Sequence, residues 1–119
     1  MDTGNAFKNR LKLKPLADYL IENYYPEIDE EEGDIYEQMF KIIMKNSAEL
    51  VANWQVAGFV HGVLNTDNMS MLSLTIDYGP FGFIDYFSKD YVSNLTDEYE
   101  RYSYRRQPEV VKWNLQRLA

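Results

Sequence analysis

Hydrophobic residues recur with helical periodicity over much of this chain, and the longest such segment lies in its middle. From about Ile35 to Gly58 the apolar residues return every three or four positions, which predicts a long amphipathic helix. These apolar residues are Ile35, Met39, Ile42, Ile43, Leu50, Val51 and Trp54. The acidic stretch before them, residues 27–34, predicts a solvated loop and a helix start, because carboxylates favour a helix N-terminus.

A shorter helix is predicted on each side of this long one. Pro15 suits a first helical turn and Pro26 ends the pattern, so we expect one helix between them, after a polar lead-in over residues 1–12. Another helix is expected to begin at Pro108 and run towards Leu118.

Between the long helix and the last one, the hydrophobic period shortens to two. This alternation predicts two very short strands, Met69–Leu72 and Leu74–Asp77, that form a hairpin with its turn near Ser73. The aromatic-rich residues 81–104 are expected to be irregular, with one helical turn around Thr96–Arg101. The pattern therefore predicts a mainly α-helical chain with a short β-hairpin, of the α+β class.

Composition narrows the function classes. The chain has 119 residues, which suits one domain or part of one over residues 1–119, with a core in residues 13–119. The net charge of −7 argues against a nucleic-acid partner, since no basic stripe is present to displace counterions from a phosphate backbone. The absence of cysteine excludes disulfides and thiolate metal sites. No apolar run approaches the roughly 20 residues that span a bilayer, so a soluble intracellular protein without a membrane partner is expected.

Chemically active residue types concentrate in residues 61–79, where Asn68 and Asp77 bracket the predicted hairpin. In kinase-like folds, an Asn that closes the catalytic loop and an Asp that follows the next strand together hold Mg²⁺ and a nucleotide. The same order here predicts that Asn68 and Asp77 bind Mg²⁺, which prefers oxygen ligands and needs few protein groups when phosphates supply the rest. The alternative for both residues is a turn in which the side chain bonds its own backbone.

The neighbouring residues complete this hypothesis. Asp67 lies beside Asn68 and could accept a proton from an attacking hydroxyl; the alternative is an exposed loop acid. His61, the single histidine, is expected to brace the backbone rather than transfer protons. Protein kinases place an Asp two positions after this histidine, where this chain has Val63. Either the chain is a catalytically inactive kinase, or another residue acts as the catalytic base. In the second case Asp67 is the nearest candidate for that role.

The amino-acid sequence of this region is distinctive enough to indicate a family. Residues 58–85, GFVHGVLNTDNMSMLSLTIDYGPFGFID, resemble the signature of the selenoprotein O family of protein adenylyltransferases, formerly regarded as pseudokinases. The resemblance extends to LADYLIENYYPE at 16–27, to Ser93–Asp97 and to PEVVKWNLQRL at 108–118. It therefore covers about residues 14–118, nearly the whole chain.

The resemblance implies a kinase-like fold that binds ATP in reversed orientation and passes AMP to Ser, Thr or Tyr hydroxyls of target proteins. It implies that Asp67 is the catalytic proton acceptor. It further implies that Asn68 and Asp77 hold Mg²⁺ or Mn²⁺, with Asp77 also near the nucleotide. Family members occur in the bacterial cytoplasm and in mitochondria, so one of these compartments is expected.

The same resemblance implies that this chain corresponds to a C-terminal lobe fragment. The sequence has no Gly-rich phosphate loop, no strand-borne Lys with its helix Glu partner, and none of the arginines expected to grip the reversed phosphates. We therefore expect the chain alone to be poorly active and prone to self-association through exposed apolar surface. Two other hypotheses stay open: an atypical phosphotransferase, against which Val63 argues, and a non-catalytic interaction module.

Overall fold

The computed structural model describes residues 3–119, with side chains from residue 11 onwards. Within these residues, helices predominate and one two-stranded antiparallel sheet is present, which confirms the α+β class. The chain divides into two compact units, Met1–Ile42 and Ile43–Ala119. The elements are α1 at Thr3–Tyr24, α2 at Ile35–Ala57, β1 at Phe59–Val60, β2 at Gly82–Phe83 and α3 at Gln107–Leu118.

Helix α1 begins earlier than predicted. Residues 3–12, expected to be a polar lead-in, are helical, and Pro15 lies inside the helix instead of in its first turn. Residues 3–12 show no regular apolar spacing in the sequence for a periodicity argument to detect, and Leu11 and Leu13 are exposed. Residues 8–14, KNRLKLK, are nevertheless mostly Lys, Arg and Leu, whose high intrinsic propensity favours a helix.

The acidic loop before α2 confirms its prediction. Glu30–Glu32 form an exposed 3₁₀ turn. The Asp34 carboxylate then accepts hydrogen bonds from the backbone amides of Tyr36, at 2.8 Å, and Glu37, at 3.4 Å. These bonds satisfy amides that have no partner inside the helix, so Asp34 caps α2.

A second polar contact lies within the same unit. The Asp18 carboxylate accepts a hydrogen bond from the Tyr36 hydroxyl at 2.5 Å and another from Lys14 Nζ at 3.0 Å. The Tyr36 hydrogen bond is the main cause that lowers the pKa of Asp18, and the Lys14 hydrogen bond acts in the same direction. Both stabilise the ionised carboxylate.

Helix α2 presents its predicted apolar face, with Met39, Ile43, Val51 and Trp54 buried. In the unit Ile43–Ala119, a hydrophobic core forms where this face, the segment that follows it and α3 meet. The core consists of Val51, Trp54, Phe59, Leu64, Val110 and Val111. Phe59 and Leu64 lie at the start of the loop that carries Asp67 and Asn68, so the core anchors that end of the loop directly.

The predicted hairpin is wrong. Residues 69–77, all within the part of the chain that the structure describes, contain no strand. Its turn is real, because the amide of Ser73 donates to the carbonyl of Ser70 at 3.1 Å and Ser73 has φ +56°. The antiparallel pair instead joins β1 to β2, with Phe59 opposite Phe83. Alternation of apolar residues reports a half-buried extended segment, but it does not report whether a second strand lies beside it.

The helical turn predicted near Thr96–Arg101 is also misplaced. The Asp97 carboxylate accepts hydrogen bonds from the backbone amides of Arg101 and Tyr102, at 3.0 and 2.9 Å. Side-chain bonds of this kind compete with the helical pattern and favour turns. A 3₁₀ turn occurs slightly later, at Tyr104–Arg106, and runs into α3.

Candidate active site

The imidazole of His61 links two backbone segments. The side chain is buried, and its Nδ1 accepts a hydrogen bond from the amide of Val63 at 3.3 Å. The Nε2 atom therefore carries the proton, which it donates to the carbonyl of Ile76 at 2.6 Å. The ring thus holds the start of the loop beside the residue that precedes Asp77. This geometry confirms the expected role of His61 as a backbone brace.

Asp67 and Asn68 lie together in one 3₁₀ turn, Thr66–Asn68. The Asn68 side chain donates from Nδ2 to the carbonyl of Val63 at 2.9 Å, so its orientation is fixed by the same residue that His61 holds. Because Nδ2 faces that carbonyl, Oδ1 is the atom left to serve as an oxygen ligand. The Asp67 carboxylate is exposed and bonds to none of the described side chains or backbone groups.

Asp77 adopts an unusual backbone conformation. Its φ of +57° lies in the left-handed region, which Asp tolerates better than most residues other than glycine. Its carbonyl accepts a hydrogen bond from the amide of Gly79 at 2.8 Å, so the chain reverses direction over Tyr78. The Asp77 side chain is exposed. Non-glycine residues held in this region cluster at functional sites, where the surrounding structure maintains the strain.

Gly62 permits close contact between the two segments that carry these carboxylates. It has φ +94°, and a Cβ atom at this position would lie 2.5 Å from the carbonyl oxygen of Pro80 and 2.7 Å from Oγ of Ser93. Only glycine fits without a shift of the neighbouring backbone. The loop before Asp67 and the segment after Asp77 are therefore packed backbone against backbone.

The sequence analysis missed a buried amide at the start of α3. Gln107 is fully buried, and its Oε1 accepts a hydrogen bond from the amide of His61 at 2.9 Å. Its Nε2 donates to the carbonyl of Phe59 at 2.9 Å and to Oε1 of Gln55 at 2.8 Å. One side chain therefore fixes the backbone on both sides of Val60.

A second buried amide, Asn114, lies further along α3. Its Nδ2 donates to the carbonyl of Leu64 at 2.9 Å and is 3.0 Å from the sulfur of Met69. Gln107 and Asn114 lie on the same helix face as the core residues Val110 and Val111, and this spacing is visible in the sequence. That signal marks a buried polar group, but it does not identify the group's partner.

The oxygen atoms near the loop suit a hard cation that is shared with phosphates. Among the described residues, no group of three or more His, Cys, Asp or Glu side chains could hold a metal ion. Asn68 and Asp77 offer one amide oxygen and one carboxylate. Mg²⁺ is commonly bound by one or two protein oxygens together with water and substrate phosphates, so this donor set fits a nucleotide-bound ion.

The family profile described as "Protein adenylyltransferase SelO" matches residues 2–119. The chain belongs to the SelO family. The expected resemblance is thereby confirmed. The match includes the loop with Asp67 and Asn68, the turn with Asp77, and α3 with its two buried amides.

Individual SelO relatives agree with this assignment. The zebrafish "Protein adenylyltransferase SelO-1, mitochondrial" is 53% identical over 107 residues, which cover 87% of this chain and 16% of that protein. The human "Protein adenylyltransferase SelO, mitochondrial" is 51% identical over 108 residues, with the same coverages of 87% and 16%. The Klebsiella pneumoniae "Protein nucleotidyltransferase YdiU" is 51% identical over 108 residues, covering 91% of this chain and 22% of that protein.

This SelO chain therefore spans about a sixth to a fifth of the length of the curated relatives that it matches. In the part of the chain that the structure describes, no helix combines the length and apolar character needed to cross a membrane.

Proposed function

We propose that this chain is the part of a protein adenylyltransferase that binds the metal-bound nucleotide and supplies the proton acceptor, in a lobe of the protein-kinase type. ATP is the nucleotide, Mg²⁺ or Mn²⁺ is the ion, and Ser, Thr or Tyr hydroxyls of proteins accept AMP. The names of the relatives support the reaction class. They also support action in mitochondria for a eukaryotic source, and we propose the cytoplasm for a bacterial one.

The single observation that carries this proposal is the His61 bridge. It joins the amide of Val63, whose carbonyl orients Asn68, to the carbonyl that immediately precedes Asp77. A buried histidine thus couples the positions of the two candidate metal ligands. Positioning of this kind matters in phosphoryl chemistry, because the protein contributes mainly orientation and electrostatic stabilisation.

Each candidate residue then has one role. Asn68 and Asp77 hold the ion, which when bound neutralises negative charge on the phosphates. The hydroxyl oxygen of the target forms a bond to the α-phosphorus, the bond from that phosphorus to the oxygen bridging to the β-phosphate breaks, and pyrophosphate leaves. Asp67 accepts the hydroxyl proton; its exposed carboxylate suits an acceptor that a protein substrate must reach.

Isotope position tests the reaction. The protein tested is a polypeptide as long as the SelO relatives that contains this sequence. It is incubated with Mg²⁺ or Mn²⁺ and with ATP labelled at either the α- or the γ-phosphate. We expect protein labelling from the α-label only, and loss of that labelling in Asp77→Ala and Asp67→Ala. The matched control is Asp85→Ala, which removes another exposed carboxylate outside the hydrogen-bonded loop. Labelling from the γ-phosphate only would support a phosphotransferase instead.

The metal site can be tested on this chain alone. Mn²⁺ added with ATP broadens the NMR signals of nearby amides, and we expect the broadening to centre on residues 67–68 and 77–79. Asn68→Ala and Asp77→Ala should each weaken it, whereas Asp85→Ala should not. Broadening that is uniform over the acidic surface, or unchanged by both substitutions, would contradict the proposed ligands.

A further inference from the structure

We propose that Asn114 and Gln107 of α3 are positioning residues, which hold the loop from Phe59 to Met69 in the shape that Asp67 and Asn68 require. The loop's ionic and catalytic roles rest on the proposed function above, but the positioning itself rests on hydrogen bonds. Neither amide is close enough in sequence to belong to the loop motif, and neither is needed to explain the chemistry of transfer.

Asn114 fixes the two ends of the short arc that carries the candidate residues. Its Nδ2 bonds the carbonyl of Leu64 at one end and contacts the sulfur of Met69 at the other. Asp67 and Asn68 lie between these two points. Leu64 is completely buried, so water does not replace the lost hydrogen bond if the amide is removed.

The cost of burying Asn114 argues that its hydrogen bond has a purpose. Asn114 is only 5% exposed, and its Oδ1 has no hydrogen-bond partner among the described residues. An apolar side chain beside Val110 and Val111 would avoid the penalty of a buried, unpaired oxygen. The observed gain is the donation to Leu64, which acts on the loop and not on the helix itself.

Gln107 acts at the other end of the same loop. It bonds the carbonyl of Phe59 and the amide of His61, and so sets the backbone from which the histidine projects. The histidine then reaches Val63 and Ile76, and Val63 orients Asn68. Gln107 and Asn114 therefore connect α3 to the candidate ligands through the backbone of the loop.

The first test measures loop order without reference to activity. Asn114→Leu removes the donor with little change in volume, and Gln107→Met does the same at the second site. The matched control is Val111→Ala, which weakens the same helix–core packing but breaks no hydrogen bond to the loop. Amide hydrogen exchange is measured by NMR for residues 61–69, together with thermal unfolding.

We expect amide exchange at residues 61–69 to be at least 10-fold faster in Asn114→Leu and in Gln107→Met. In Val111→Ala, the protection of these residues relative to the rest of the chain should be unchanged. Each variant is compared at a temperature equally far below its own unfolding midpoint. Exchange that rises in proportion to lost global stability in all three variants would overturn the proposal. So would failure of both amide variants to fold where Val111→Ala folds, because the amides would then support folding in general.

The second test connects the loop to the ion. Mn²⁺ affinity is measured with ATP by electron paramagnetic resonance, and both amide variants should bind about 10- to 100-fold more weakly, which is the usual effect of removing groups that orient metal ligands. Val111→Ala should bind like the unaltered chain. If the unaltered chain itself binds no ion, the proposed function fails, while hydrogen exchange still decides the positioning role. Unchanged affinity in both amide variants would refute their connection to the ligands.

Discussion

The two units of this protein use polar side chains in opposite ways. Among the described residues of Met1–Ile42, most polar contacts are exposed and join residues close in sequence, as in the pair Lys14–Asp18 and the capping carboxylate Asp34; the bond between Asp18 and Tyr36 is longer in range and part-buried. In Ile43–Ala119 the decisive contacts are buried and link residues far apart in sequence, as Gln107 and Asn114 show. Water competes for the first kind and cannot reach the second. The same loss of a hydrogen bond should therefore cost little in one unit and much in the other.

The largest difference is expected at two glycines with positive φ. At Gly62 an added Cβ would meet the carbonyl of Pro80, whereas at Gly33, with φ +128°, no atom of the described residues lies within 4 Å. Gly33→Ala should cost about 1–3 kcal/mol through backbone strain alone. Gly62→Ala adds a backbone clash and should cost more than about 3 kcal/mol. Urea unfolding measures both, and equal losses would show that the close approach at Gly62 is unimportant.

The next effect compares two side chains that each bond more than one backbone group. His61→Phe leaves the Val63 amide and the Ile76 carbonyl without their partner, and we expect a loss of about 2–4 kcal/mol. Gln38→Leu removes three bonds, to the amide and carbonyl of Asp29 and to the carbonyl of Gly33, but all three are exposed. It should cost less than about 1 kcal/mol. Chemical denaturation checks both values, and a larger loss for Gln38→Leu would reverse the comparison.

A smaller effect is expected at the cap of α2. Asp34→Ala removes the acceptor for the amides of Tyr36 and Glu37 and should cost about 1 kcal/mol. Asp34→Asn keeps a side-chain oxygen at the cap and should restore most of the stability. Thermal unfolding of both variants provides the measurement. If Asn fails to rescue the loss, the charge at the helix N-terminus matters more than the hydrogen bonds.

The smallest effect concerns pH. The pKa of Asp18 is lowered, first by the hydrogen bond from Tyr36 and then by that from Lys14. Its contribution to stability is thus present above the unfolded value near 3.9 and is lost as the pH falls through the folded pKa. In Tyr36→Phe, the pKa of Asp18 should rise towards its ordinary value. NMR titration of the carboxyl carbon measures this shift, and an unchanged pKa would assign it to Lys14.

Local sequence signals succeeded where local physics decides the structure. Helices α2 and α3 were predicted to within a residue or so, because their apolar spacing and first-turn prolines or acids are local features. The start of α1 was missed because its first residues show no regular apolar spacing in the sequence. The strands were misplaced because pairing of Phe59 with Phe83 depends on a long-range approach that alternation does not encode.

For the candidate site, the sequence by itself determined the family and nominated Asp67, Asn68 and Asp77, whose roles stay predictions. Residue types and their order carry this information, because chemistry needs particular groups in a particular sequence context. Only the tertiary structure decided how that loop is held, through His61 and the buried amides of α3. A buried hydrogen bond depends on which backbone groups the fold leaves without partners, and those groups are known only once the chain has been folded.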